Sequence, residues 1–213
     1  MKRKHEQSII DNFFDYLKRV YEDKNEFYSS SLDGQDTLLN ADYIFTNSTK
    51  FVLSEFKYQE QDIKSEHNKQ RSTLLCLKLL ADNLNKQRHN KCHFIAWSDM
   101  TYDDCQILLN QYNNEVCISN IKDRICIEDF SEDFYENKIG LEFDEFNEYI
   151  KWLLDSPNLP NDGTNIELII NDSEKKQFKM ETFNTLEKLK NWLDSNKKQK
   201  KDKERKSSPR RRQ

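Results

Sequence analysis

Ala41-Asp42-Tyr43-Ile44-Phe45-Thr46-Asn47-Ser48-Thr49-Lys50-Phe51-Val52-Leu53-Ser54-Glu55-Phe56-Lys57-Tyr58-Gln59 reads as two β-strands joined by a tight polar turn. Tyr43-Ile44-Phe45 and Phe51-Val52-Leu53 are runs of β-forming residues, and Thr46 to Lys50 between them is turn chemistry. Three charges interrupt this apolar hairpin: Asp42, Glu55 and Lys57. Side chains on a strand alternate faces, so Glu55 and Lys57 point the same way. A two-residue turn at Ser48-Thr49 sets Asn47 opposite Lys50, and the same register sets Asp42 opposite Glu55, with Cβ atoms about 5 Å apart. A three-residue turn would shift that pairing by one. Two carboxylates so placed repel unless a cation holds them or one keeps its proton. A hard divalent cation favours such an oxygen cluster. The plainer alternative is a surface hairpin with an exposed Glu/Lys pair.

The flanks supply helices and further strands. Residues 6–22 read as an amphipathic helix with Ile9, Ile10, Phe13, Phe14, Leu17, Val20 and Tyr21 on one face. Glu6 lies near the centre of that stripe, where it either complements the helix dipole or reaches the acids of the hairpin. Residues 26–32 suggest a first, edge strand, Asp33-Gly34 a turn, and Asp36 a second-choice acid. Ser65 is a candidate N-cap for one long helix over 66–86, whose leucines lie almost all round and predict burial against the sheet. Gln70 and Arg71 sit in its first turns, where anions are favoured. Cys92 to Trp97 reads as a fourth strand, so the order is α-β-β-β-α-β.

The D-x12-E-x-K spacing, Asp42 followed by Glu55-Phe56-Lys57 on an apolar hairpin between helices, resembles the catalytic centre of the PD-(D/E)xK nuclease superfamily. The proline often preceding the family's Asp is replaced here by Ala41. Lys2-Arg3-Lys4-His5-Glu6 before an apolar helix looks like the opening of archaeal Holliday junction resolvases in that superfamily. The resemblance covers about the first hundred residues. It implies an α/β restriction-endonuclease-like core over 1–100. It also implies Mg²⁺ (or Mn²⁺) held by Asp42, Glu55 and the Phe56 carbonyl, with Lys57 beside the attacking water and Glu6 completing the metal shell. Gln59, Gln70 and Arg71 would line the substrate cleft. The implied activity is metal-dependent hydrolysis of nucleic-acid phosphodiesters, DNA first, in a restriction, phage-defence, mobile-element or repair setting. The competing reading is a nuclease-like module that binds nucleic acid or a protein partner without cutting.

Beyond Trp97 the reading is structural: an α+β extension over 101–196. It predicts a hairpin of 115–120 and 124–128, a helix over 143–155, a loop over 156–164, a strand over 166–170 and a helix over 182–195. Acidic groups such as Asp103-Asp104, Asp129/Glu132/Asp133 and Asp144-Glu145 read as solvated surface. His89, Cys92 and His93 cluster in sequence, but strand alternation would send Cys92 and His93 to opposite faces, against a zinc site. Five cysteines without a C-x-x-C suggest free thiols in a reducing compartment. Three glycines, with no glycine-rich motif, argue against a phosphate loop.

Charged residues make up 34 % of the 213, and the formal net charge is −4. Residues 197–213 hold ten of the 34 Lys/Arg and two of the 38 acids, a net of +8, which leaves −12 on residues 1–196. An acidic body with a basic tail suggests a polyanion partner for the tail, which is expected to be disordered alone. No apolar run is long enough to span a membrane and no secretory signal is visible. The expected location is cytoplasmic, or nuclear in a eukaryote, and a homodimer or larger complex is possible.

Overall fold

The computed structural model describes residues 3–21, 27–32, 39–47, 49–99, 106–118, 123–155, 166–172 and 177–183, with Lys188, Asn191 and Ser195. Among these residues the fold is mixed α/β, built on one eight-stranded sheet of order β6-β5-β4-β3-β2-β1-β7-β8. The strands are β1 (Tyr28–Ser31), β2 (Tyr43–Thr46), β3 (Phe51–Gln59), β4 (His93–Asp99), β5 (Gln106–Gln111), β6 (Ile125–Cys126), β7 (Ile166–Asp172) and β8 (Gln177–Phe183). All neighbouring pairs are antiparallel except β3 and β4, which run parallel. A parallel pair needs a crossover. Three helices supply it: α2 (Glu60–His67), α3 (Gln70–Ala81) and α4 (Asn83–Cys92).

Helix α1 (Arg3–Val20) covers one face of the sheet. Phe13 packs against Phe45, Phe56 and Phe130, with ring centroids 5.3, 5.2 and 5.7 Å away. Helix α5 (Ile127–Tyr135) shares this face through Phe130 and Phe134. The crossover helices and α6 (Phe143–Leu154) fill the other face, with Ile44, Leu53, Trp97, Tyr112, Phe146 and Tyr149 at its core. The alternation of strand side chains thus divides the apolar residues into two cores, one per face.

The hairpin turn is closed by one side chain. Asn47 Oδ1 accepts from the Thr49 and Lys50 amides at 3.0 and 2.7 Å, and its Nδ2 donates to Phe134 O at 2.7 Å. The start of β3 is pinned by Leu141, which exchanges backbone hydrogen bonds of 2.8 and 3.1 Å with Phe51. Gly140 makes this approach possible, because at φ +86° a Cβ there would meet Lys50 Cβ at 2.8 Å.

Several expectations are corrected. The expected single helix over 66–86 is three helices, broken at Asn68-Lys69 and at Asp82, whose backbone is extended and whose side chain caps α4 by accepting from Asn85 N. Its leucines are not all buried: Leu74, Leu77, Leu80 and Leu84 face solvent. β1 is not an edge strand, since β7 pairs with its other side. The expected 115–128 hairpin is a short π-helix (Asn113–Cys117), the two-residue β6 and α5. α5 was hidden by its acids, which lie on its outer side while Ile127, Phe130 and Phe134 are buried. Thr182 and Phe183 end β8 rather than open a helix. Cys76 and Cys117 form a disulfide, so the five thiols are not all free. Asp36, Asp103-Asp104, the 156–164 loop, most of the 184–195 helix and the 197–213 tail lie outside the described residues.

Candidate functional site

The observed register of the hairpin pairs Tyr43 with Ser54 and Ile44 with Leu53. One step further along this register Asp42 lies beside Glu55, as a two-residue turn requires, and Asp42 N donates to Ser54 O at 2.9 Å. Ile44 and Leu53 belong to the core beneath the crossover helices. Asp42, Glu55 and Lys57 continue the same face by strand alternation.

Asn40 delivers Asp42 to that position. Its backbone is left-handed at φ 50°, a conformation that asparagine tolerates better than most residues. His93 Nε2 donates to Asn40 O at 2.8 Å. His93 must therefore accept at Nδ1, from the Tyr149 hydroxyl 2.9 Å away, and His89 Nδ1 donates in turn to the Tyr149 oxygen at 2.6 Å. Both imidazoles are fully buried and neutral, with burial holding the His93 pKa down to about 4 and that of His89 well below its usual value. His89, Cys92 and His93 all lie on the crossover side of the sheet, contrary to the expected divergence, because Cys92 ends α4 rather than starting β4. The two histidines bond Tyr149 and Asn40 instead of forming a zinc site.

Glu55 is buried, and Lys57 Nζ donates to its Oε1 and, at 3.1 Å, to Phe56 O. The Phe56 amide donates to Asp42 Oδ2 at 2.6 Å. Lys57 Nζ also lies 2.9 Å from Glu66 Oε1 and 4.0 Å from Glu6 Oε1. Lys69, at the N-cap of α3, closes the cluster at 2.6 Å from Glu66 Oε1 and 3.3 Å from Glu55 Oε1. The Glu66 side chain has no exposed surface, whereas those of Lys69 and Glu6 are 44 % and 35 % exposed. The mouth of the cluster therefore lies between the first turn of α1 and the start of α3.

The charges do not balance. Asp42, Glu55, Glu66 and Glu6 bring four carboxylates against the ammoniums of Lys57 and Lys69. Burial pushes the Asp42 pKa up to about 6 against the pull of Lys57, and burial together with the Asp42 charge pushes Glu55 up to about 8. Burial would raise Glu66 as well, but Lys57 and Lys69 override it and hold it down to about 2. Lys57 stays cationic because Glu55 and Glu66 outweigh its own desolvation. With all four acids ionised the cluster is two positive charges short, and a proton on Glu55 halves that deficit; carboxylate oxygens grouped in this way are the donor type that a hard divalent ion takes. Among the described residues no three Asp, Glu, His or Cys side chains stand where they could together hold a metal ion, and Lys57 and Lys69 occupy the space between the acids.

Of the expected site residues, Asp42, Glu55, Phe56, Lys57 and Glu6 come together. Gln59, Gln70 and Arg71 are not among the bonded members of the cluster. Gln59 ends β3 beyond a bulge and precedes α2. Gln70 is exposed at the first position of α3. Arg71 instead borders a small cleft with Asn40, Leu74, Lys78 and Leu153. Three contributors escaped the sequence reading: Glu66, Lys69 and Tyr112, whose hydroxyl donates to Glu66 Oε2 at 3.1 Å and lies 2.8 Å from Ser72 Oγ. The available signal was the i,i+3 Glu/Lys spacing of Glu66 and Lys69, but such pairs are common on solvated helices. No protein-family model, characterised protein or solved structure matches the chain.

Proposed function

We propose that the Asp42–Glu55–Lys57 cluster is the active centre of a divalent-metal-dependent nuclease that hydrolyses phosphodiesters of nucleic acid, with DNA as the expected substrate. The observation that carries this reading is the joining of Asp42 and Glu55, from adjacent strands, with a buried lysine in a charge-deficient cluster open to solvent on one side. The order α1-β1-β2-β3-helix-β4, with β4 parallel to β3, supports a restriction-endonuclease-like core. Asp42, Glu55 and the Phe56 carbonyl would hold Mg²⁺ or Mn²⁺. When bound, such an ion supplies Lewis-acid polarisation of the phosphate and lowers the pKa of water.

The remaining roles fall to the chain itself. Lys57, held cationic by Glu55 and Glu66, offers a fixed positive charge next to where water must attack. Glu66 keeps that ammonium in place and is itself aimed by Tyr112. Of the two ammoniums Lys69 is the more exposed, so its side chain stands at the mouth of the cluster, where its charge would attract a phosphate.

A second reading has its own observation. Lys57 and Lys69 already satisfy Glu55, as a scaffold without a metal would require. A nuclease-like module that binds nucleic acid or protein without cutting would look the same. Incubating the protein with supercoiled plasmid, linear duplex and RNA, with Mg²⁺, Mn²⁺ or EDTA, separates the two. The expected result is metal-dependent cleavage that Lys57→Ala abolishes while leaving Mn²⁺ binding largely intact. Absence of cleavage together with absence of Mn²⁺ binding at Asp42 and Glu55 would leave the scaffold reading.

A further inference from the structure

Two contacts join α3 to the π-helix Asn113–Cys117. The inner one is Ser72 with Tyr112. The Tyr112 hydroxyl donates its only proton to Glu66 Oε2 at 3.1 Å, so Ser72 Oγ, 2.8 Å away, is the group that donates to Tyr112. The outer one is the Cys76–Cys117 disulfide. Cys76 follows Ser72 by one turn of α3. Cys117 follows Tyr112 by one turn of the π-helix. The two contacts are therefore successive rungs between the same two helices. One is covalent, and the other is a hydrogen bond that ends on the acid holding Lys57.

The rungs differ in access. Ser72, Tyr112 and Glu66 are buried. Cys76 and Cys117 are half-buried, and the residues that follow them, Leu77 and Ile118, are 58 and 52 % exposed. A thiol from solution can thus reach the outer rung but not the inner one. Disulfides open to solvent are the exchangeable kind, whereas structural ones resist reduction. The π-helix also has a second hold on its far side, where Glu115 Oε2 accepts from Arg124 Nε at 3.2 Å and from Asn110 Nδ2 at 2.8 Å. Opening the disulfide therefore frees one side of the π-helix without detaching it.

We propose that the Cys76–Cys117 bond is a redox-sensitive clamp on the buried acid cluster: oxidised, it holds Tyr112 against Glu66 and so Lys57 in place, and reduced, it lets the π-helix draw away and loosens both. The co-reactant is a small thiol of the glutathione class. Its thiolate attacks one sulfur of the bond, forms a mixed disulfide and releases the other cysteine as a thiolate, which takes up the proton. A second small thiol then attacks the mixed disulfide. Two cysteine thiols and one disulfide of the reductant result, with two electrons passed from the reductant to the protein bond. The clamp acts on the cluster itself and does not depend on the nuclease reading.

The test measures by mass spectrometry how fast Lys57 is acetylated by an N-hydroxysuccinimide ester, in full-length protein equilibrated with glutathione buffers from oxidising to reducing. The exposed Lys91 serves as internal reference. The bond should open within that range. Lys57 should then react about fivefold faster, the effect of one lost hydrogen bond of ordinary net strength. Cys76→Ser/Cys117→Ser should match the reduced wild type in every buffer. Tyr112→Phe should react at the fast rate in both redox states, because the clamp works through that hydroxyl. Hydrogen exchange of the wild type gives a measure without variants: reduction should speed exchange over 112–117 and leave β3 protected. A bond that stays closed, or open, at every glutathione ratio would overturn the proposal. So would a Lys57 rate or an exchange pattern indifferent to reduction, or a Tyr112→Phe protein that responds as the wild type does. Loss of the fold on reduction, seen by circular dichroism, would overturn it as well and make the bond a structural staple.

Discussion

The Glu66 carboxylate, without exposed surface, stands 2.9 Å from the Lys57 ammonium across the gap between a crossover helix and the third strand of the sheet. A lysine that close to Glu55 and Glu66 cannot lose its proton easily, and two acids that share it cannot both be removed cheaply. Removing one partner of a buried ion pair leaves the other desolvated and unpaired. Glu66→Ala leaves Lys57 paired with Glu55 but removes its second carboxylate and the acceptor of the buried Tyr112 hydroxyl, and is expected to destabilise the fold by about 1–3 kcal/mol. Urea unfolding measures it, and a change within experimental error would show that Glu66 only lines the site.

Lys69 bridges Glu55 and Glu66 from the open side, with its side chain 44 % exposed. An ammonium on the metal-facing acid competes with an entering cation. Lys69→Met should tighten Mn²⁺ binding by up to about fivefold, the range expected when a partly exposed charge pair is lost. It should also weaken affinity for a DNA duplex. Isothermal titration with Mn²⁺ reads the first and a fluorescence binding assay the second. Looser Mn²⁺ binding in the variant would mean that Lys69 supports the acids rather than competing for them.

Asp42 and Glu55 repel each other in the absence of a cation. Asp42→Asn keeps an oxygen to accept from the Phe56 amide and removes one of the two charges. In EDTA at pH 8 this substitution should stabilise the protein by up to about 1 kcal/mol. The same variant should lose Mn²⁺ binding and cleavage together. A destabilised variant that still binds Mn²⁺ would remove Asp42 from the ligand set.

His93 is buried neutral between Tyr149 OH and Asn40 O, with Glu66, His89 and Tyr112 as its other neighbours. Its folded pKa, about 4, lies below the unfolded value of 6.5. The unfolded chain then binds the extra proton as the pH falls. Its contribution to stability is complete above pH 6.5 and is lost as the pH falls through the window down to about 4. The loss amounts to about 3 kcal/mol at about 1.4 kcal/mol per unit. Asp42 and Glu55 act in the opposite sense over part of this window, because their folded pKa values are raised. The readout is therefore a difference. His93→Gln should be less stable than wild type at pH 7 and should lose less stability between pH 6.5 and 4. Parallel pH profiles for the two proteins would contradict a neutral buried His93.

Residues 197–213 carry a net +8 while the rest of the chain carries −12. Each phosphate neutralised on duplex DNA contributes about −0.9 to the slope of log affinity against log salt. Deleting 197–213 should weaken DNA binding at moderate salt and flatten that slope. Metal-dependent cleavage should persist at low salt, because the proposed centre lies in residues 6–69. Equal slopes with and without the tail would exclude it as the electrostatic anchor.

The parts of this protein legible in its sequence are those set by local chemistry. Asn47 closes a two-residue turn with its own side chain, and that turn fixes the register which carries Asp42 to Glu55. The apolar stripe of α1 announces the helix and puts Glu6 on its inner side, from which it reaches Lys57. Both follow from periods of two and 3.6 residues that hold whatever the rest of the chain does.

The remainder was decided in three dimensions. α5 and β6 have polar or short sequences whose identity depends on the surface that accepts them. The leucines of 74–84 promise one buried helix, yet α3 buries only Leu75 and Leu79 and turns Leu74, Leu77 and Leu80 to solvent, and Leu84 lies past the break at Asp82. Cys76 meets Cys117 across 41 residues. Glu66 and Lys69 join the site because α2 folds back onto the sheet after β3 and α3 restarts beside Glu55, while Tyr112 arrives from beyond β5. Turn closure and strand alternation act over a few residues and leave a mark in the sequence. The meeting of Glu66 with Lys57 depends on how helices pack on a sheet, where a solvated i,i+3 ion pair and a buried one have the same spelling.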